Sequence, residues 1–106
     1  MAAILVFTAA GSKDEARNIA QSLVESRLAA CVNILPKMES VYRWEDNVQN
    51  SEEWLLVIKT RSGNFEAVQE AIRKLHSYDL PECISIKIAE AEEGYLKWLT
   101  DSTQSC

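Results

Sequence analysis

The chain has 106 residues, 47% of them hydrophobic and 25% charged, with only three Gly and two Pro, which excludes a disordered, fibrous or multidomain protein. Eleven Lys and Arg against sixteen Asp and Glu give a net charge of -5, without the basic density that phosphate neutralisation needs, so neither nucleic acid nor an anionic membrane is an expected partner. One domain over residues 1–106 is expected.

The run Ala3-Ile4-Leu5-Val6-Phe7-Thr8 is apolar at consecutive positions, as in a strand covered on both faces, and is too short to cross a bilayer. Ser12 precedes Glu15 by three, the spacing of a reciprocal cap in which both side chains satisfy free amides at a helix start. Ala16, Ile19, Ala20, Leu23 and Val24 then recur at helical spacing, predicting a helix to about Ser26 with one buried stripe. Cys31 to Trp44 reads as a strand bent at Pro36, which lacks a ladder amide. Glu45-Asp46-Asn47 can supply the left-handed residues of a tight reversal, so Glu53 to Thr60 should return antiparallel as a hairpin partner.

A second helix follows from Phe65, carrying Val68, Ile72 and Leu75, and ends near His76 before Tyr78-Asp79-Leu80-Pro81. Cys83 to Ile88 alternates and predicts a half-buried strand with three isoleucines on one face. Glu92 to Thr100 suffices for a short docking helix, with Asp101 to Cys106 as a loose tail. The order β-α-β-β-α-β plus a terminal helix predicts an α+β, ferredoxin-like sandwich, with the first and third strands central and both main helices on one sheet face. Those central strands are apolar on both parities, with Ile4, Val6, Leu55 and Val57 expected on one face and Leu5, Phe7, Leu56 and Ile58 on the other. A lone subunit therefore leaves an apolar face bare, and a homo-oligomer is the expected solution.

Four stretches occur together: Arg27-Leu28-Ala29-Ala30-Cys31-Val32-Asn33-Ile34; Tyr42 and Trp44 with Glu53 and Lys59-Thr60; His76-Ser77-Tyr78-Asp79-Leu80-Pro81-Glu82; and Tyr95-Leu96-Lys97-Trp98-Leu99. In order and spacing they resemble the CutA divalent-cation-tolerance proteins over essentially the whole chain. The resemblance implies a ferredoxin-like fold assembled as a homotrimer, similar in architecture to the PII signalling trimers, and a role in tolerance of copper and other divalent metals. Two positions depart from the family pattern: Ser77 stands where a proline is usual, which should loosen the turn, and Cys83 where isoleucine is usual. A third, Asp46 in place of a hairpin glycine, is tolerated because a short polar side chain accepts left-handed backbone.

Imidazole and thiolate are the natural protein ligands for copper(II) or another divalent metal, which makes His76 and Cys31 the candidate metal ligands. The same residues admit plainer readings, Cys31 as a small buried apolar side chain and His76 as a helix C-terminal cap. A surface site joining His76 to Asp79 or Glu82 is chemically open as well. Trp44, Glu53, Lys59, Tyr78 and Glu82 form a second set, which the resemblance places around a cleft between subunits, either binding a small polar ligand or packing an interface. No Ser-His-Asp order, glycine-rich phosphate loop or HExxH is present, so a binding protein rather than an enzyme is expected, without an organic cofactor. Three cysteines without CxxC spacing argue against a disulfide framework and for a reducing, cytoplasmic setting. The alternative function is a PII-like trimeric regulator that binds a small ligand or partner protein in the inter-subunit cleft.

Overall fold

The computed structural model describes residues 2–104; Cys106 lies outside them. β1 (Ala3–Ala10), β2 (Cys31–Trp44), β3 (Asn47–Arg61) and β4 (Ile84–Lys87) form one antiparallel sheet in the order β2-β3-β1-β4, with β3 and β1 central as expected. The helices are α1 (Lys13–Glu25), α2 (Phe65–Leu75) and α3 (Glu93–Ser102).

The antiparallel register decides which apolar residues share a face. Val6 lies opposite Ile58 and Thr8 opposite Leu56, so Ile4, Val6, Leu56 and Ile58 turn together toward α1 and α2. There they meet Ala16, Ile19, Ala20 and Leu23 of α1 and Val68 and Ile72 of α2 in one buried cluster, whereas Val24, expected in the same α1 stripe, is exposed. The other face carries Leu5, Phe7, Leu55 and Val57, because Phe7 pairs with Val57 and Ala9 with Leu55. The face assignment expected for β3 is thereby exchanged: each strand is apolar on both parities, as read, but only the ladder fixes which set of β3 joins which set of β1.

β4 forms where expected with Ile84 and Ile86 on one face, but it is shorter, Ile84–Lys87, and exposed rather than half-buried. Pairing with β1 over Ile4–Phe7 directs Ile84 and Ile86 to the open face, 57% and 51% exposed, while Cys83, just before the strand, packs on the helix-side cluster. Only part of the open face is covered. α3 seals one corner, where Leu99 packs with Ala3 and Ala30, and Arg61 ties it down through its guanidinium, donating to the carbonyls of Thr100 and Thr103 at 2.6 Å each. The tail expected to be loose is therefore held as far as Gln104, whose carbonyl accepts from Asn64 Nδ2 at 2.9 Å and whose amide donates to the Arg27 carbonyl at 2.9 Å.

The hairpin is longer than its apolar pattern suggests. β3 begins at Asn47 rather than Glu53, and the polar stretch Asn47–Glu52 pairs with Glu39–Trp44 as a two-stranded arm beyond the sheet. Glu45 and Asp46 both take left-handed backbone, φ 51° and 65°, the geometry of a two-residue turn whose twist matches its strands. At the arm's base the register shifts between Leu35 and Met38, with Lys37 at φ 55° immediately after Pro36. This is the irregularity expected at that proline.

A candidate cation groove at the base of the arm

The end of β1 at Ala9, the turn at residues 77–82 and the arm with its base line a groove of about 740 Å³. Its organiser is His76, whose side chain is fully buried. Nε2 lies 2.7 Å from the Ala9 carbonyl, so that nitrogen carries the proton, and Nδ1 accepts the Tyr78 amide at 3.1 Å. Both ring nitrogens are thus engaged, and the ring pins the turn to the end of β1. His76 is the C-cap of α2, as one reading of the sequence expected, its amide donating to the Ile72 carbonyl at 2.9 Å, while both ring nitrogens are committed within the chain and leave no lone pair free for a metal.

Tyr78, placed by that anchor, reaches across the groove and donates its hydroxyl to Glu53 Oε2 at 2.8 Å. Burial foremost, then the Glu53 hydrogen bond and charge, raise the phenol above its usual 10.0. The neutral phenol is therefore the form the fold prefers. Gly11 leaves room for the approach: a Cβ there would lie 3.0 Å from the Tyr78 hydroxyl oxygen and press it back by a few tenths of an ångström. Glu15 completes the support in an unexpected way. Ser12 does cap α1, accepting the Glu15 amide at 3.2 Å, but the Glu15 carboxylate turns away from the expected reciprocal cap and accepts the Ser77 amide at 2.9 Å. A proline at 77 has no N–H to give, so the departure to Ser77 gives the turn a tether in place of a rigid ring.

Of the residues singled out from the sequence, Trp44, Glu53, Tyr78 and Glu82 line the groove together. Lys59 does not join them within one chain. It lies six residues along β3 from Glu53, about 20 Å at the usual strand rise, and its Nζ instead approaches the Tyr95 hydroxyl at 3.5 Å. Cys31 is the register partner of Lys59, far from His76 at the opposite end of the sheet, so the Cys31–His76 pair is not assembled in one chain. Among the described residues no three of His, Cys, Asp and Glu are gathered into a metal cage. Tyr42, Asp79, Gly11 and Glu15 also belong to the site or its support. Tyr42 had a usable signal, its i, i+2 spacing from Trp44 on one strand face, whereas nothing local marks Gly11 or Glu15.

Comparison with known proteins decides the family. The model of the CutA1 divalent ion tolerance protein family matches residues 4–102. The chain belongs to that family. It is 46% identical over 92 residues to the divalent-cation tolerance protein CutA of Thermus thermophilus, a match spanning 87% of this chain and 89% of that protein. A solved structure of the divalent cation tolerance protein from Thermus thermophilus superposes with a TM-score of 0.94 at 42% identity, covering 96% of this chain and 99% of the other. The chloroplastic protein CutA of Arabidopsis thaliana is 42% identical over 102 residues, 96% of this chain but 56% of the longer plant protein. A structure described as the periplasmic divalent cation tolerance protein CutA of Archaeoglobus fulgidus matches with a TM-score of 0.94 at 33% identity, over 96% of this chain and 99% of that one. CutA relatives thus carry names from different compartments. No helix among the described residues is long and apolar enough to cross a membrane.

The raised phenol of this CutA protein gives a test of the Tyr78–Glu53 contact. A group whose folded pKa exceeds its unfolded value contributes stability that is complete below the unfolded value and is lost as pH rises through the folded one. Tyr78 should therefore stay protonated at about pH 11, where a free phenol is mostly ionised. In an ultraviolet titration, Tyr78→Phe should leave the tyrosinate absorbance at that pH unchanged; loss of one tyrosine's signal contradicts the contact.

Proposed function

We propose that this CutA protein is a binding protein rather than an enzyme, serving divalent-cation tolerance as a cytosolic homotrimer that takes copper(II) weakly at its groove. The observation that carries this reading is the groove's charge: Glu53, Asp79 and Glu82 line it, and no Lys, Arg or His does. Carboxylates bind copper less tightly than imidazole or thiolate, so the affinity is low. His76 acts by holding the turn, and Cys31 stands apart from the groove. The trimer is supported by the family resemblance and by Ile84 and Ile86, left exposed beside Leu5, Phe7 and Val57 on the open sheet face. Unpaired Cys31 and Cys83 suit a reducing cytosol.

Copper(II) calorimetry and electron paramagnetic resonance test the site. Glu53→Gln is expected to weaken binding about tenfold, the loss of one charge-assisted ligand, and Cys31→Ser to leave it unchanged. The spectrum should show oxygen ligation. Imidazole-nitrogen splitting would instead make His76 a ligand and overturn the assignment. The groove's volume also favours the second reading, a small ligand held between subunits, since about 740 Å³ greatly exceeds the space of one ion.

A further inference from the structure

Charge alone does not describe the groove. Tyr42, Trp44 and Tyr78 line it along with Glu53, Asp79 and Glu82, so aromatic walls and carboxylates share one concavity. Tyr42 and Trp44 stand two apart on β2, which puts both side chains on the same strand face, and in a single chain each keeps more than 40% of its surface exposed. Glu53 is the distinctive member. It is 7% exposed, and the Tyr78 hydroxyl is its one side-chain hydrogen-bond donor among the described residues. None of the ion pairs among those residues includes it. A carboxylate largely withdrawn from water gains from a cation or further donors that offset its desolvation, and with one phenol on Oε2 the other oxygen is left open to such a partner.

A bare divalent ion meets it poorly. Such an ion requires several oxygen, nitrogen or sulfur ligands converging at bonding distance, and no such trio is gathered among the described residues. Aromatic faces, by contrast, attract large, weakly hydrated cations through the negative potential over their rings, and Trp is the strongest of them. We propose that the groove binds a small organic cation, a quaternary or alkylated ammonium group, seated against Tyr42, Trp44 and Tyr78 with its charge offset by Glu53. The volume of about 740 Å³ lies within the range typical of small-molecule sites. This inference rests on the reading of the groove as a cation site and adds to it the kind of cation preferred.

Tetramethylammonium is the probe, with tert-butanol as a neutral molecule of similar shape and copper(II) titrated in parallel into the intact protein. Tetramethylammonium should bind and tert-butanol should not. Trp44→Leu should weaken tetramethylammonium binding about tenfold, the order of a cation–π contact partly shielded from water, and Glu53→Gln should weaken it at least as much. Trp44 is exposed on the arm in a single chain, and circular dichroism of its variant should match the wild type. Copper binding without tetramethylammonium binding overturns this inference and leaves the metal reading standing; no binding of either cation overturns both. Tetramethylammonium binding that Trp44→Leu does not change, or tert-butanol binding equally well, also overturns it.

Discussion

Replacing Ile84 with aspartate is expected to turn the proposed trimer into single chains of 11.9 kDa without unfolding them. Ile84 pairs with Phe7 on the sheet face opposite the helices and is 57% exposed in one chain, so an isolated subunit tolerates a charge there. In an assembly that covers this face the same carboxylate is buried in every copy. Each copy then loses about 1.5–3 kcal/mol of apolar burial and gains an unpaired charge that costs several kcal/mol more. Association should weaken by on the order of a thousandfold or more. Size-exclusion chromatography with light scattering reads the change in mass, and far-ultraviolet circular dichroism the retained fold. Ile84→Leu, which preserves volume, should stay assembled. An aspartate variant of unchanged mass would place the interface elsewhere.

His76→Ala should have the largest effect on the stability of the subunit itself. The substitution leaves the Ala9 carbonyl and the Tyr78 amide without their partner and opens a void where a fully buried ring had been. Unsatisfied buried groups and a cavity together cost about 2–4 kcal/mol. For a domain of this size each kcal/mol lowers the Tm by about 4 °C. Calorimetry should therefore show a fall of about 8 °C or more. Amide exchange at Tyr78 should accelerate beyond the global change, since the turn loses its anchor. A variant that melts with the wild type and keeps that amide protected would show that His76 does not hold the turn.

The parts of this fold that were legible beforehand are those governed by local periodicity. The stripe of α1, the apolar run of β1, the bend at Pro36 and the reversal at Glu45-Asp46 follow from spacing and backbone preference within a few residues. What escaped depends on partners distant along the chain. Leu55 and Leu56 are identical side chains, and only the pairing of Val6 with Ile58 decides which of them enters the core. The arm's outer half escaped because Asn47–Glu52 has no apolar alternation; its pairing is imposed by the turn and the ladder.

The same distinction runs through the site. Trp44, Glu53, Tyr78 and Glu82 were recognisable as a set because the family resemblance carried their arrangement, and the structure brings all four to one groove. The separation of Lys59 from Glu53 follows from strand rise once the groove is placed at the Glu53 end of β3. Glu15 misled because its spacing from Ser12 fits a reciprocal cap, whereas the Ser77 amide, 62 residues away in sequence, takes its carboxylate instead. His76 looked like a ligand because imidazole is one by chemistry. Its engagement with Ala9 and Tyr78 is a tertiary fact with no local signature.

Everything proposed for the groove presupposes that the open sheet face beside it is covered by further copies of the chain. Sedimentation equilibrium of the wild-type protein over a dilution series into the nanomolar range tests this most directly. A particle of three chains, each of 11.9 kDa, that persists on dilution is the expected result. A stable, folded single chain throughout the series would contradict it.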